Sequence, residues 1–224
     1  MTNERGFYCV TTQDRIDQLF KFLKSFSRYN HYPVYVAFAN DKLDAYRKKT
    51  QVGFLSPFKT TVLIDTDIYV NGELTHLFEI AESGSIGIYH ETTFNCFNSG
   101  VVAFPEAVLK DISPTWLSLY EQKIHNAIEK NKRLSKYRRT YRENPGFQEF
   151  TFCAYDQDIL NNIIGKYPIS RLPREYNCIL KEITPQYEAE HWKDIKIFHF
   201  LHGNPDNRNL FKCFKLYHGI ENVK

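Results

Sequence analysis

Paired cysteines are the first thing this sequence lacks. Its five cysteines, Cys9, Cys96, Cys153, Cys178 and Cys213, are odd in number and scattered, with no C-x-x-C pair. That excludes a zinc knuckle built on paired thiolates, argues against a disulfide framework, and points to a reducing compartment. No window holds the roughly 18 consecutive apolar residues that a membrane-spanning helix needs. The opening "MTNERGFYCVTT" does not run from a basic start into an apolar stretch, so it does not read as a secretory leader. Net charge is small, +3 over 224 residues, whereas a duplex-binding domain carries a strong basic face. Nucleic acid is therefore not an expected partner. Linkers rich in proline, glycine or serine, low-complexity tracts and internal repeats are also missing. A single domain over residues 1–224 is the simplest expectation, soluble and cytoplasmic, or the soluble catalytic part of something larger.

What is present is an ordinary globular balance, 42% hydrophobic and 25% charged, enriched in aromatic residues at 16%. Apolar runs alternate with segments of helical spacing. "GFYCVTT" (6–12) predicts a strand, after which Ile16, Leu19, Phe20, Leu23 and Phe26 recur as on a helix, with Thr12 as candidate N-cap and Asp14 in the first turn. "PVYVAFAN" predicts a second strand, Asp41 to about Lys49 a polar helix, and "TTVLIDTDIYV" a third strand after the loop "LSPFK". This alternation predicts a Rossmann-like α/β start with a parallel sheet, whose ligands sit at the carboxyl ends of the strands. "GSIGIYH" predicts a fourth strand, and an Asn98-Ser99-Gly100 turn in "FNCFNSGVVAFP" leads into a fifth. Helices are expected from Pro114 to about Lys136 and over "YDQDILNNII", and "DIKIFHFLHGNP" predicts a late strand carrying His199 and His202.

Two carboxylates, Asp65 and Asp67, interrupt the third apolar run. On a strand, residues i and i+2 share a face, so both can converge on one point beyond the sheet edge. They repel unless a positive charge lies between them, and hard oxygen ligands suit Mn²⁺ or Mg²⁺. A D-x-D tripeptide is common, and elsewhere it is often a solvated or helix-capping pair. Its position directly after "VLI" argues for a metal. So does His199 in a later apolar strand, since histidine joins carboxylates as a ligand, although a histidine there also serves as a core residue.

In their order and approximate spacing, "SPFKTTVLIDTDIYV", "FNSGVVAF", "YDQDILN", "LPREYN" and "IFHFLHG" resemble nucleotide-sugar-dependent glycosyltransferases of the GT-A fold. The resemblance is strongest to family 8 and its glycogenin-like members and runs from about Gly6 to Gly203. It implies a single α/β domain with a Rossmann-like, mixed but mainly parallel sheet flanked by helices. It also implies a hexosyltransferase-like activity that moves a sugar from a nucleoside-diphosphate sugar, a UDP-sugar favoured, to a glycan or other hydroxyl acceptor. Surface polysaccharide or viral glycan synthesis would suit such a chain. On the matching positions Asp65, Asp67 and His199 would hold Mn²⁺ or Mg²⁺, while Thr11, Thr12, Asp65 and Thr66 would line the nucleotide pocket. Asn98, Ser99, Gly100, Asn177 and Asp158 would face sugar or acceptor, and Asp156 and Gln157 would stand beside the reacting sugar as the catalytic pair.

Two departures matter. Family members often follow the histidine motif with glycine and Lys-Pro-Trp, whereas this chain reads "HFLHGNPDNR", leaving Gly203 as a nucleotide contact and Arg208 as the nearest cation. The arginine helix that commonly precedes the D-x-D has no evident counterpart, and Lys59 in "SPFK" is the candidate substitute. Family 8 retains anomeric configuration; an inverting enzyme would need a carboxylate base near the acceptor hydroxyl, and Asp156 and Asp158 suit either scheme.

The chemistry is coherent without the family name. Cleaving a sugar from a nucleoside diphosphate leaves a diphosphate whose developing charge a divalent cation stabilises, and polar side chains such as Asn98, Asp156 and Gln157 can orient sugar hydroxyls. The basic run from Lys130 to Arg142, interleaved with Tyr137 and Tyr141, is open to three readings: a solvated surface, a lid over the diphosphate, or a peripheral contact with an anionic acceptor or membrane surface. Rival functions are a D-x-D phosphatase of the haloacid dehalogenase type, a sugar nucleotidyltransferase, and a nucleotide-sugar or carbohydrate-binding protein without turnover. The first places its motif near the N-terminus and the second needs a Gly-rich loop that "VTTQDR" is not.

Overall fold

The computed structural model describes residues 3–92, 95–135, 155–179, 191 and 193–200, with the backbone alone for 3, 127–135 and 155. Its elements in chain order are β1 (Asn3–Thr12), α1 (Ile16–Phe26), β2 (Val34–Ala39), α2 (Lys42–Thr50), α3 (Val52–Leu55), β3 (Phe58–Ile64) and β4 (Ile68–Val70). They continue with α4 (Thr75–Glu82), β5 (Ile86–Glu91), β6 (Cys96–Phe104), α5 (Glu106–Ser135), α6 (Tyr155–Ile163), β7 (Ile169–Leu172), β8 (Cys178–Ile179) and β9 (Ile197–His199). Six strands form one sheet in the order β2-β1-β3-β6-β5-β7, and β4-β9-β8 form a second, smaller one. In the large sheet β1 runs parallel to β2 and β3, and β5 to β7, while β6 is antiparallel to both its neighbours.

Alternation along the central strands builds two cores. Phe7 and Cys9 of β1 and Ile64 of β3 pack with Phe22 of α1 and Phe78 of α4 on one face. Tyr8, Leu63, Val102 and Phe104 turn to the other, against Trp116 of α5 and Leu160 of α6. Strands covered on both faces read as continuous apolar runs rather than alternating ones, which is why "FYCV", "VLI" and "VVAF" stand out. At the start of α6 the Trp116 indole Nε1 donates to the Asp156 carbonyl at 2.9 Å, which ties Asp156 to the core.

Four local expectations change. "TTVLIDTDIYV" is two strands in different sheets, and Asp65 to Asp67 cross the gap between them. The Asp65 amide donates to the Gly100 carbonyl of the large sheet (2.8 Å), while the Asp67 carbonyl accepts from the Phe200 amide beside the small one (2.9 Å). Asn98-Ser99-Gly100 is not a turn but lies inside β6. Tyr89 pairs with Asn98 and Ile88 with Val102, so Ser99, Gly100 and Val101 bulge out of the β5 ladder. The turn falls earlier, at Asn95, whose φ is 49°. The long helix begins at Glu106 and carries Pro114 in its interior rather than at its start. Thr12 precedes a 3-10 turn over Gln13–Arg15 and makes no side-chain capping bond. Among the described residues no helix is long and apolar enough to cross a membrane. The side chains of the basic run 130–142, His202, Gly203 and Arg208 lie outside the described residues.

Candidate functional site

A cavity of about 400 Å³ opens where the carboxyl ends of β1 and β3 meet the β6 bulge, the start of α6 and the end of β9. Thr11 and Thr12 reach it from β1, Lys49 from α2, Asp65, Thr66 and Asp67 from the crossing between sheets, and His199 from β9. Asn98, Ser99 and Gly100 reach it from β6 and Asp156 and Gln157 from α6. The topology thus gathers most of the expected residues in one place.

Its centre is a pair of charge clusters that share Asp65. In the first, Lys49 Nζ lies 2.9 Å from Asp65 Oδ1 and 2.9 Å from Asp156 Oδ2. Ser99 Oγ donates to the same Asp156 oxygen at 3.0 Å, and the Ser99 amide donates to Gln157 Oε1 at 3.0 Å. Lys49 is only 7% exposed. Burial alone would drive its ammonium to lose a proton, but Asp156 and Asp65 outweigh that and hold its pKa above the usual lysine range. In the second cluster, His199 Nε2 lies 3.4 Å from Asp67 Oδ1 and 4.0 Å from Asp65 Oδ2. Burial pulls the imidazole down and the two carboxylates pull it up more strongly, Asp67 foremost. Asp65 is itself pushed up, by burial first and then by Asp67, against the opposing pull of Lys49.

The second cluster suits a small divalent cation. One ligand atom from each of Asp65, Asp67 and His199 lies within 4.8 Å of the others. Metal–ligand bonds of roughly 2.0–2.2 Å place neighbouring ligand atoms about 3 Å apart and opposite ones about 4 Å apart, which brackets the 3.4 and 4.0 Å from His199 Nε2 to the two carboxylates. Two carboxylates and one imidazole leave positions open for water and for phosphate oxygens.

The other expected residues fall into three groups. Thr11, Thr12 and Thr66 are buried on the cavity wall. Asn177, expected to face sugar, is instead fully buried outside the cavity lining, 2.8 Å from His199 Nδ1 through its Oδ1 and donating to Asn98 Oδ1 at 3.0 Å. Gly100 answers to the same histidine. A Cβ there would collide with His199 Cε1 and lie 2.9 Å from its Nδ1, so the missing side chain admits the imidazole ring. Asp158 and Lys59 do not reach the cavity. Asp158 pairs with Lys123 at 3.1 Å on the outer face of α6, because residues two apart on a helix point roughly 200° apart. Lys59 sits near the amino end of β3, the wrong end of the strand, where it pairs with Glu4 at 2.7 Å.

The cation buried on the cavity wall is Lys49, from the helix before the D-x-D, and not Lys59. Its sequence signal is weak but real: Lys42, Tyr46 and Lys49 recur at helical spacing and all line the cavity. Glu91, at the end of β5, is 3% exposed and also on the wall; nothing in "IYHETT" marks it.

No protein-family model matches this chain, and no curated protein matches it. Solved structures do. The glycosyltransferase GlyE of Streptococcus pneumoniae TIGR4 matches with a TM-score of 0.61 and 15% identity over 97% of this chain and 62% of GlyE. The galactosyltransferase LgtC, in complex with donor and acceptor sugar analogues, matches with a TM-score of 0.59 and 11% identity over 98% of this chain and 97% of LgtC. A glycosyltransferase involved in glycosylating the major capsid of PBCV-1 gives a TM-score of 0.57 and 14% identity over 92% of this chain and 98% of that one. The mixed sheet and its flanking helices are the GT-A fold of these glycosyltransferases. The chain spans less than two thirds of GlyE and nearly the whole of LgtC.

Proposed function

We propose that this protein is a metal-dependent glycosyltransferase, moving a sugar from a nucleoside-diphosphate sugar, a UDP-sugar favoured, to a glycan or other hydroxyl acceptor. The observation that carries the reading is the meeting of Asp65, Asp67 and His199 in one cavity, at the strand ends of a fold shared with glycosyltransferases. Mn²⁺ or Mg²⁺ held there would stabilise the charge that develops on a departing diphosphate. The charge balance supports it: Asp14, Asp65, Asp67, Glu91 and Asp156 line the cavity against Arg15, Lys42 and Lys49, and of these three cations Lys49 is the buried one.

The order of strand ends across the sheet supports the direction in which a donor would lie. Thr11 and Thr12 end β1, Asp65 follows β3, and Asn98 to Gly100 sit in β6, three successive strands about 4.8 Å apart, so a donor would run across them with its nucleoside toward β1 and its sugar toward β6. The sugar would then meet Asn98, Ser99, Asp156 and Gln157. Asp156, anchored by Lys49, Ser99 and Trp116, is the carboxylate placed to orient it or, in an inverting scheme, to take the acceptor proton. Retention is the favoured outcome, by resemblance.

The test is a thermal-shift panel of nucleoside diphosphates and nucleotide sugars. UDP or GDP should raise the melting temperature only with Mn²⁺ or Mg²⁺ present, by the equivalent of about 2.7 kcal/mol at a hundredfold excess over Kd. Absence of any shift across the panel with metal would sink the reading. Metal-dependent stabilisation without donor hydrolysis or transfer would instead identify a binding protein.

A further inference from the structure

We infer that Asn177 is a positioning residue that fixes the tautomer of His199, presenting its Nε2 lone pair to the Asp65 and Asp67 carboxylates. The inference deepens the metal-site reading above and rests on it for its consequence, though not for its geometry.

One chain of buried hydrogen bonds orients the ring, and it starts from a donor that is chemically unambiguous. The Gly100 backbone N–H can only donate, and it meets Asn98 Oδ1 at 2.9 Å. The Glu91 carboxylate accepts, and Asn98 Nδ2 lies 3.4 Å from its Oε2. Each contact separately requires the same orientation of the Asn98 amide, oxygen toward Gly100 and nitrogen toward Glu91. Asn98 Oδ1 must then be the acceptor for its second neighbour, so Asn177 donates to it through Nδ2 at 3.0 Å. That leaves Asn177 Oδ1 facing His199 Nδ1 at 2.8 Å. An amide oxygen only accepts, so Nδ1 carries the proton and donates it. In the neutral ring Nε2 is consequently the bare nitrogen, and it is Nε2 that faces Asp67 and Asp65.

Metal-ligating histidines commonly donate the other ring N–H to an oxygen that sets ring orientation, and loss of that partner costs about 10–100-fold in affinity. Here the partner is itself held by a backbone amide, through Asn98, and Gly100 also supplies the space in which the ring lies. Asn177 is 0% exposed and Asn98 3%, so water does not compete for these bonds. A residue in "LPREYN" thus acts on the metal site from behind the cavity wall and not on sugar from within it.

Two measurements decide it. First, imidazole ¹⁵N NMR of the metal-free, unmutated protein at alkaline pH should show His199 neutral with its proton on Nδ1. A proton on Nε2 would overturn the inference whether or not the protein binds metal. Second, Mn²⁺ titration followed by electron paramagnetic resonance should show Asn177→Ala raising the Mn²⁺ Kd by about tenfold or more, with the folded state intact by circular dichroism. In a His199→Ala background the same change should have no further effect, because Asn177 works through the imidazole. A Kd that rises less than threefold, or effects that simply add, would assign Asn177 to packing alone. No Mn²⁺ binding by the unmutated protein would count against the metal site, and the tautomer would still test Asn177.

Discussion

The two oxygens of Asp65 belong to two differently completed clusters. Oδ1 faces Lys49, which is matched on its other side by Asp156, so one fixed cation sits between two carboxylates at 2.9 Å each. Oδ2 faces the His199 imidazole at 4.0 Å, and that ring lies 3.4 Å from Asp67, so two acids meet a ring that is neutral whenever it offers a lone pair. One cluster is closed by a charge that is part of the chain. The other reaches balance only when a proton or a cation arrives. In the function proposed above, a permanent counter-ion holds the acids of the site in place and an exchangeable one would do the chemistry, so the two should respond differently to mutation.

The largest difference should come from Asp67. Asp67→Ala removes one metal-binding oxygen and leaves the lysine cluster intact. A cation at a developing diphosphate charge is worth several kcal/mol, so Mn²⁺-dependent donor hydrolysis should fall by on the order of 10³-fold or more. Stability in metal-free buffer should change little, because the like charge beside Asp65 and the pairing with His199 are lost together. Assays of sugar release with and without Mn²⁺, alongside chemical denaturation, check both halves. Unchanged turnover would remove Asp67 from the site.

Lys49→Met should do the reverse, harming the fold as well as the site. It leaves Asp65 and Asp156 facing each other in a largely buried place with their counter-ion removed, and breaking a buried pair from one side costs about 3–5 kcal/mol. Asp65 is 27% exposed to the cavity, which places the expected loss near the lower end of that range. Urea denaturation without metal reads it. If Lys49→Met and Asp67→Ala proved equally stable, the division into a closed and an open cluster would be wrong.

How much of this the sequence shows differs between the two clusters. Asp65, Asp67 and His199 are visible because each interrupts or ends an apolar run, and polar groups in such runs are expensive enough to need a reason. The strands themselves are visible for the same reason. Lys49 is barely so, since a lysine at the end of a polar helix looks like any solvated one until distant elements bury it against Asp65 and Asp156. The break between β3 and β4 is hidden because the apolar pattern continues across it. The β6 bulge is hidden because Asn-Ser-Gly is also the composition of a turn, and here the glycine answers to a histidine at the far end of the chain. What pattern cannot carry is partnership across the fold.

A smaller effect should follow from that glycine. Gly100→Ala places a methyl where the His199 ring now lies, which the ring can relieve only by moving away from the acids. Overpacking of this kind costs about 1–3 kcal/mol, and the shifted imidazole should weaken Mn²⁺ binding by about tenfold, as loss of a ligand's orientation does elsewhere. Calorimetric titration of Mn²⁺ separates the affinity effect from the stability effect. The lysine cluster should be untouched, because Lys49, Asp65 Oδ1 and Asp156 lie on the other side.

The smallest effect distinguishes the acids inside the comparison from those that merely adjoin it in sequence. Asp158 is two residues from Asp156, and on an extended chain the two would share a face. On α6 they do not: Asp156 is 2% exposed inside the site, while Asp158 pairs with Lys123 at the surface. An exposed pair of this kind contributes about 0–1 kcal/mol, so Asp158→Asn should leave stability nearly unchanged and donor hydrolysis within about twofold. Asp156→Asn in the same assay should lose most of the activity, because that carboxylate is held by Lys49 and Ser99 while Trp116 fixes its backbone carbonyl. A large loss from Asp158→Asn would mean that α6 turns its other face to the substrate. The lysine cluster would then have to be redrawn around a different acid.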